Sequence, residues 1–340
     1  MASVSTRAEQ AGNEASRPQQ VISGVDDDDW INKIVYLPDG RVVTGSASGA
    51  VRLWDLQSGK QEGTSIEHEN ENIDLAVTLD GSKIISSGEG GEISVWDVES
   101  HKLVKAWSLP ESQNVIAISP NDGLLAAGSR TVGIYTTEGE WVNSIDVNDV
   151  FSLSFSPDGN KLACGTEGDI RIYDVKIGTL ILGPLAGHDG YINCVLWSRD
   201  GTKLFSASDD KTIRCWDSNT GEQIGQPWTG HTDWISSLSL SPDGTLLASA
   251  SLDKTIRFWD TAYGRPARQH LQHDTTVNSV YFSPSGEFVA SGDGDGDIYL
   301  WQVPRVSFTQ HRVITPLHVH FRIDIYYIAA NSGSPRRTPL

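Results

Sequence analysis

The chain has 340 residues, with 26 basic and 44 acidic side chains and a formal net charge of −18 at pH 7. This charge argues against nucleic acid or an anionic membrane as the main ligand, because phosphate groups are bound by Lys and Arg. No apolar run reaches the roughly 18–20 residues that cross a bilayer. The three cysteines, Cys164, Cys194 and Cys215, form no CxxC pair, so we expect reduced thiols in an intracellular, cytoplasmic or nuclear protein.

The N-terminal segment 1–17 is polar and has no hydrophobic period. We expect it to be disordered, and it lacks the apolar core of a secretory signal.

Residues 18–303 are organised as a repeat. Seven runs of alternating apolar residues end in Trp-Asp or a degenerate version of that pair, with spacings of 42, 39, 38, 43, 43 and 42 residues between neighbouring endings. The endings are Trp54-Asp55, Trp96-Asp97, Tyr135-Thr136, Tyr173-Asp174, Trp216-Asp217, Trp259-Asp260 and Trp301-Gln302. A fixed period of about 40–45 residues with this ending is typical of a β-propeller with one blade per repeat. The pattern therefore predicts an all-β, seven-bladed propeller.

One repeat illustrates the predicted blade. Residues 234–239 alternate apolar with polar side chains, as in a half-buried strand, and Ser-Pro-Asp-Gly at 241–244 then favours a turn. Residues 246–249 form a second predicted strand, and 255–260 a third that ends in the Trp-Asp pair. In this repeat a more polar fourth strand follows, and the next repeat then begins.

The ends of the repeat region predict how the ring closes. The last repeat has only three strands, since Pro304 follows Trp301 almost at once. We expect residues of about 17–24 to pair with 296–302 and complete the seventh blade, which removes the sheet edge. The predicted blades span 30–67, 72–108, 112–146, 148–186, 190–229, 233–272, and 275–302 with 18–24. The basic tail 304–340 is expected to lie outside the propeller.

The chain resembles the WD40-repeat family over about residues 18–303. The best repeats carry a His before the first strand and a Ser, an Asp and a Trp at fixed spacing, with the Trp ten residues after the Ser and six after the Asp. The resemblance implies three buried, structural hydrogen-bond tetrads: His188, Ser206, Asp210 and Trp216; His231, Ser249, Asp253 and Trp259; and His273, Ser291, Asp295 and Trp301. Catalysis by these Ser/His/Asp sets is not expected, because a catalytic triad occurs once in a pocket rather than once per repeat.

Other repeats depart from this pattern. The second keeps His68, Ser86 and Trp96 but has Gly90 at the Asp position, and the first has Thr44 and Trp54 without a His. The third and fourth repeats lack the set altogether, so we expect them to be the softer part of the ring.

The resemblance also implies a docking face, formed by the loops at which the innermost strands begin. The residues predicted to bind a partner there are Trp30, Asn32, Asp149, Tyr191, Asn193, Asp209, Trp234 and Leu252. Trp30, Tyr191 and Trp234 are predicted anchors, since exposed aromatic residues often dominate binding energy. Asp149 and the run from Asp26 to Asp29 add negative charge, which favours a basic peptide or domain as the partner.

We therefore expect a non-catalytic intracellular interaction scaffold, monomeric or a subunit of a hetero-complex, that binds protein and not nucleic acid or membrane. One alternative is a substrate receptor or adaptor within a larger assembly, such as a ubiquitin ligase or chromatin or RNA-processing machinery. Another is a propeller enzyme with a site in the channel, which the sequence disfavours because it offers no clustered base and nucleophile.

Two weaker motifs do not change this interpretation. Asp293-Gly-Asp-Gly-Asp297 resembles the start of a calcium loop but lacks the Glu at the twelfth position. His318-Val-His320 places two imidazoles on one side of a predicted strand without a nearby Cys or acid. No metal or cofactor is expected.

Overall fold

The computed structural model describes residues 17–23, 29–68, 73–88, 90–109, 115–128, 130–147 and 149–304. The predictions for residues 1–16, for Asp26 to Asp28 and for the tail from residue 305 onward lie outside the described residues. The described part of the chain is all β, with no helix. It therefore contains no helix long and apolar enough to cross a membrane.

Twenty-six strands follow one another along this part of the chain. They are β1 Gln20–Ile22, β2 Ile31–Tyr36, β3 Val42–Ser46, β4 Ala50–Asp55, β5 Lys60–Glu67, β6 Asp74–Val77, β7 Lys83–Ser87, β8 Glu92–Asp97, β9 Lys102–Ser108, β10 Ile116–Ile118, β11 Leu124–Gly128, β12 Thr131–Thr136, β13 Trp141–Asp146, β14 Ser152–Phe155, β15 Lys161–Gly165, β16 Glu167–Asp174, β17 Leu180–Trp197, β18 Lys203–Ser208, β19 Ile213–Asp217, β20 Ile235–Leu240, β21 Leu246–Ser251, β22 Thr255–Asp260, β23 Pro266–Gln272, β24 Val277–Phe282, β25 Phe288–Asp293 and β26 Ile298–Gln302.

The strands form six sheets of a β-propeller. Four sheets are meanders of four consecutive strands, β2–β5, β6–β9, β10–β13 and β20–β23, and a fifth has the order β1-β26-β25-β24. The sixth has six strands, β14 to β19, because the long strand β17 belongs to two pairings. The described residues thus form six sheets where the sequence predicted seven separate blades.

Strand β17 explains this difference. Its first part pairs with β16, from Leu180 opposite Tyr173 to Tyr191 opposite Glu167. Its second part pairs with β18, from Ile192 opposite Ser208 to Trp197 opposite Leu204. The segment around Gly187-His188 lies between two predicted blades but is part of the continuous strand β17. Its register with β16 shifts between Ala186 and Tyr191, yet no break in the strand separates the two halves.

The first and last strands of the described region are neighbours. Strand β1 pairs antiparallel with β26, with Gln20 opposite Leu300 and Ile22 opposite Ile298. The backbone N–H of Gln19 also donates to the carbonyl of Leu300 at 2.8 Å. Residues far apart in sequence therefore lie in one sheet, and the N-terminal strand covers an edge of β26 that would otherwise be open.

The hydrophobic core lies between neighbouring sheets. Val35 and Leu53 of the first sheet pack with Leu75 and Ile84 of the next. The second strand of a sheet is covered on both faces, so β21 is buried at five consecutive positions and carries small Ala and Ser residues there instead of alternating apolar and polar ones. Each sheet thus depends on its neighbours for burial, as expected of a repeat fold.

Tight turns follow β2, β6, β10, β14, β17, β20 and β24, with Asp-Gly in six of them and Ser285-Gly286 after β24. In the turn at Asp200, the Ser198 hydroxyl donates to the carboxylate at 2.6 Å and the N–H of Thr202 donates at 3.1 Å. These hydrogen bonds, with one from the Thr202 hydroxyl, lower the pKa of Asp200 to about 2. The carboxylate therefore stays ionised at neutral pH and is engaged within its own turn.

All of the strands belong to one compact unit, Met1–Val306. The remaining segment, Ser307–Leu340, lies outside the described residues.

Candidate functional site

The innermost strands, which are β2, β6, β10, β14, the second half of β17, β20 and β24, begin at one common edge. Around this edge lies a cavity of about 400 Å³, whose wall includes Asn32, Asp74, Phe151, Asn193 and Ser236. These residues come from strand starts in different sheets, so the edge is the point where the first strands converge. The predicted docking residues lie at this edge.

Large aromatic side chains are exposed here. Trp30 is 56% exposed, Trp234 48% and Tyr191 42%. The ring of Phe151 packs against Tyr191 with a centroid distance of 4.6 Å. Phe151 enlarges the apolar surface beside Tyr191, although the sequence analysis did not include it among the anchors. We call the surface formed by Trp30, Tyr191 and Trp234 the aromatic face.

Backbone hydrogen bonds hold neighbouring loops against these aromatic residues. The N–H of Asp209 donates to the carbonyl of Tyr191 at 3.0 Å, and the N–H of Leu252 donates to the carbonyl of Trp234 at 2.9 Å. The predicted residues from the second turn of each sheet therefore lie beside the predicted aromatic anchors. Since both sides of each pair are fixed by backbone, the face is preorganised.

The Asn193 side chain links two parts of the backbone at the same edge. Its amide donates to the Asp209 carboxylate at 2.7 Å and to the carbonyl of Ile235 at 3.0 Å. The second hydrogen bond links β17 to the start of β20. Asn193 thus ties two innermost strands together, in addition to lining the cavity.

Acidic side chains surround the aromatic face. Asp149, Glu167, Asp189 and Asp274 are exposed near the starts of the innermost strands. The charge of Asp149 is partly offset by Arg130, whose Nε lies 3.8 Å from its carboxylate, and both side chains are exposed. Glu167 pairs with Tyr191 in the sheet, a proximity that only the extended form of β17 reveals.

Asp29 differs from the exposed acidic loop that the sequence suggested. It is buried and accepts hydrogen bonds from the Ser48 N–H at 2.8 Å and the Ser48 hydroxyl at 2.7 Å. Its carboxylate also pairs with the Arg52 guanidinium at 3.0 Å. Burial alone raises the pKa of Asp29, but these hydrogen bonds outweigh burial and lower it. Asp29 therefore stabilises its sheet and adds little charge to the aromatic face.

Two tetrads form continuous hydrogen-bond chains. His188 Nδ1 lies 2.7 Å from Asp210 and Nε2 lies 2.7 Å from Ser206 Oγ, which accepts the Trp216 indole N–H at 2.9 Å. His231, Asp253, Ser249 and Trp259 repeat this arrangement, with separations of 2.8, 2.7 and 2.8 Å. Ser206 and Ser249 are fully buried, so a substrate cannot reach their hydroxyl groups.

In both tetrads a threonine hydroxyl donates a further hydrogen bond to the Asp carboxylate. The Thr212 hydroxyl donates to Asp210 at 2.7 Å, and the Thr255 hydroxyl donates to Asp253 at 2.6 Å. Burial raises the pKa of Asp210, but hydrogen bonds from His188 and Thr212 have the larger effect and lower the pKa to about 2. A carboxylate so well supplied with donors holds its turn in place at neutral pH.

The third set differs from the prediction, because Asp293 takes the place expected for Asp295. His273 Nδ1 lies 3.6 Å from Asp293, and Ser291 accepts the Trp301 indole N–H at 3.1 Å. Asp297 stands where the other tetrads have Thr212 or Thr255, so a carboxylate replaces the hydroxyl donor. Asp295 therefore lacks the partner that holds Asp210, and only its backbone N–H joins the set, donating to Asp293 at 3.1 Å.

The first two repeats hold partial sets. Ser86 joins His68 and Trp96 at 2.6 and 3.0 Å, and the Trp54 indole N–H donates to Thr44 at 2.9 Å. No metal-binding group of three or more His, Cys, Asp or Glu side chains occurs among the described residues, which include the run from Asp293 to Asp297. His318 and His320 lie outside the described residues.

The buried histidines predict a pH dependence of stability. Burial lowers the pKa of His231, which Asp253 only partly offsets, and burial likewise lowers the pKa of His68. A lowered histidine pKa favours the neutral form in the folded state, so its stabilising contribution is lost as pH falls below about 6.5, the unfolded value. We expect the melting temperature to fall less between pH 7.5 and 5.5 in His68→Gln than in the unaltered protein. Thermal melts at both pH values measure this, and an equal or larger fall in the variant would contradict it.

Comparison with known proteins points to one family. The model described as "WD domain, G-beta repeat" matches residues 16–55, 132–174, 179–217, 221–260 and 264–302, which together make up more than half of the chain.

Individual relatives match over shorter stretches. WD repeat-containing protein 1 of Xenopus tropicalis is 51% identical over 63 residues, 18% of this chain and 10% of its own length. WD repeat-containing protein SL1-17 of Schistosoma mansoni is 36% identical over 108 residues, 30% of this chain and 35% of its own. The Intraflagellar transport protein 122 homolog of Danio rerio is 34% identical over 77 residues, 21% of this chain and 6% of its own. The chain thus covers about a third or less of the relatives it matches.

Proposed function

The chain belongs to the WD40-repeat family, and from that premise we propose that it is a non-catalytic scaffold that binds a basic peptide or domain on its aromatic face. Proteins with WD repeats generally mediate protein–protein interactions and act in complexes. The observation that carries the proposal is the exposure of Trp30, Tyr191 and Trp234 at one edge of the propeller.

Exposed aromatic side chains on a fixed backbone suit a docking role. Trp and Tyr supply a large contact area while losing few rotatable bonds, and they are enriched among residues that dominate binding energy. Trp234 and Tyr191 are held by the hydrogen bonds of Leu252 and Asp209 to their carbonyls, so little ordering is needed when a partner binds.

The charge around the aromatic face favours a basic partner. Asp149, Asp189, Glu167 and Asp274 are exposed there, and the whole chain carries a net charge of −18. Lys211 and Lys254 lie at the same edge and offset part of this charge, and their ammonium groups donate to the carbonyls of Thr232 and Asp274 at 2.9 and 2.8 Å. Complementary charge speeds encounter and selects partners more than it adds affinity.

We propose that residues 18–303 form seven blades, with the six-stranded sheet counting as two and β1 closing the ring. Seven innermost strands support this count: β2, β6, β10, β14, the second half of β17, β20 and β24.

Hydrogen bonds between successive innermost strands also support a closed ring. Ser152 Oγ accepts from the Val195 N–H at 2.9 Å, the Ser236 hydroxyl donates to the Val277 carbonyl at 2.8 Å, and Ser279 Oγ accepts from the Ile34 N–H at 3.1 Å. The last of these joins the final innermost strand to the first. A crystal structure or a cryo-EM map viewed along the channel should resolve seven wedge-shaped units, and a map with six would overturn the count.

Partner capture tests the docking role. The tagged protein and a Trp30→Ala, Tyr191→Ala, Trp234→Ala variant are incubated with native lysate, and the retained proteins are compared by mass spectrometry. A Trp141→Ala, Tyr263→Ala variant is the control, because these aromatic side chains are also exposed but lie away from the aromatic face. Loss of partners in the first variant alone supports the proposal. Equal capture by all three proteins would contradict the docking role of the aromatic face.

A further inference from the structure

A second cavity lies at the opposite end of the innermost strands from the aromatic face. Its volume is about 710 Å³, within the range of small-ligand and peptide pockets. The innermost strands run from the aromatic face to this cavity, as β2 does from Ile31 to Tyr36. The first residues of seven hairpin turns line it: Pro38, Leu79, Pro120, Pro157, Arg199, Pro242 and Pro284. We call this space the turn cavity.

Apolar and aromatic groups dominate the wall of the turn cavity. Trp197, Phe155 and Tyr281 line it near the ends of innermost strands; Trp197 and Phe155 are largely buried, and Tyr281 is 38% exposed. Leu79 stands where five other turns have Pro and is 72% exposed. Because Leu has an N–H group that Pro lacks, the Leu79 backbone donates to Asp122 of the neighbouring turn at 2.9 Å. The exposed Leu79 side chain is thereby held at the mouth by a fixed backbone.

Some polar groups of the wall have hydrogen-bond partners within the protein, and others have none. Hydroxyl groups such as those of Thr78 and Ser198 donate to the Asp of their own turn at 2.7 and 2.6 Å. Arg199 is the one charged residue among the described residues of the wall, and neither a hydrogen bond nor an ion pair is found for its guanidinium within the described region. The Tyr36 hydroxyl is buried and has no hydrogen-bond partner there either.

These observations indicate which ligand the turn cavity accepts. The wall offers apolar surface, one exposed and unengaged cation, Arg199, and no carboxylate, while the unpaired Tyr36 hydroxyl is buried behind it. Nearby turn carboxylates such as Asp200 and Asp158 are held by hydrogen bonds within their turns, which lower the pKa of each to about 2. Ligands with an anionic group beside a bulky apolar group complement this wall, since Arg binds carboxylates well and an unpaired buried donor is costly.

We propose that the turn cavity is a second docking site, which binds a partner segment carrying a bulky apolar side chain flanked by a carboxylate. The apolar side chain packs on Leu79, Trp197 and Tyr281, and the carboxylate pairs with Arg199. This site is independent of the aromatic face and has the opposite charge preference. A single scaffold therefore holds two chemically different partner segments at opposite ends of its channel.

Fluorescence anisotropy with three synthetic peptides tests the proposal. The labelled peptides differ only in the residues that flank a central Trp, which are Glu, Gln or Lys. We expect the Glu peptide to bind at least about tenfold more tightly than the Lys peptide, a difference that Arg199→Lys retains and Arg199→Glu reverses. Leu79→Ser should weaken binding of the Glu peptide, whereas Trp234→Ala, at the aromatic face, should change it by less than about twofold.

Several outcomes would overturn the proposal. These are no binding of the Glu peptide, a preference for the Lys peptide, or an affinity unchanged by Arg199→Glu. Sedimentation as a dimer that Leu79→Asp dissociates would assign the turn cavity to a second copy of the chain instead. The peptide experiment tests Arg199 and Leu79, whereas the capture experiment tests Trp30, Tyr191 and Trp234. A negative result with the peptides therefore leaves the proposed role of the aromatic face unaffected.

Discussion

Replacing Trp259 by Ala is expected to lower the free energy of unfolding by about 3–5 kcal/mol. Trp259 is fully buried, stacks on Trp228 with a centroid distance of 6.0 Å, and donates its indole N–H to Ser249 at 2.8 Å. The substitution removes a large apolar contact area and leaves a cavity that a close-packed propeller core cannot fill. Urea unfolding at pH 7, followed by circular dichroism, measures the loss.

Trp141→Ala is the matched control for this prediction. Trp141 lies on β13 and is 65% exposed, so the same chemical change should alter the free energy of unfolding by less than about 0.5 kcal/mol. Ser249→Ala provides a milder variant, because it leaves the Trp259 N–H and His231 unpaired at a cost of about 1–3 kcal/mol. Equal losses for Trp259→Ala and Trp141→Ala would show that the tetrad does not stabilise the fold.

Simultaneous replacement of Trp30, Tyr191 and Trp234 by Ala should weaken binding of a captured partner by at least about 100-fold. A single dominant aromatic residue contributes roughly 2 kcal/mol, or about 30-fold in Kd, and the three lie on one face. Because the side chains are exposed, thermal unfolding of the variant should remain close to that of the intact protein. Isothermal titration with the purified partner gives the Kd.

Salt dependence and a control variant sharpen this second prediction. If the partner is basic, its association rate should fall as ionic strength rises, since exposed charges are screened beyond roughly 10 Å at 0.1 M salt. The Trp141→Ala, Tyr263→Ala variant should bind like the intact protein. A triple variant that binds within about threefold of the intact protein would exclude the aromatic face as the main contact.

The propeller architecture is readable in the sequence because each repeat carries its own strand and turn signals. Ser-Pro-Asp-Gly turns and alternating strands need only local information, and the family comparison supports the resemblance drawn from them. The exposed positions of Trp30, Tyr191 and Trp234 also follow from their offset before each turn. That the face binds a partner is a separate inference, which the proposed experiments address.

Long-range features were harder to predict. Asp29 belongs to a run of four Asp residues, and only the folded chain brings Arg52 and Ser48 to its carboxylate. The spacing of the motif pointed to Asp295, but Asp297 replaces the hydroxyl donor that would hold it, and Asp293 lies beside His273. The continuous strand β17 depends on pairing of the 180–191 segment with β16, which the local sequence does not encode.

The turn cavity depends on the fold in the same way. Each turn contributes only one or two residues to its wall, so no single stretch of sequence reveals an apolar space of about 710 Å³. Leu79 and Arg199 stand out only after the seven turns are compared at one position.

Footprinting of a captured complex tests the docking role of the aromatic face most directly. Oxidative labelling of the free and bound protein, read by mass spectrometry, reports the accessibility of each aromatic side chain. The account predicts that Trp30, Tyr191 and Trp234 become protected on binding while Trp141 and Tyr263 label equally in both states. Unchanged labelling of the first three, with protection elsewhere on the propeller, would contradict it.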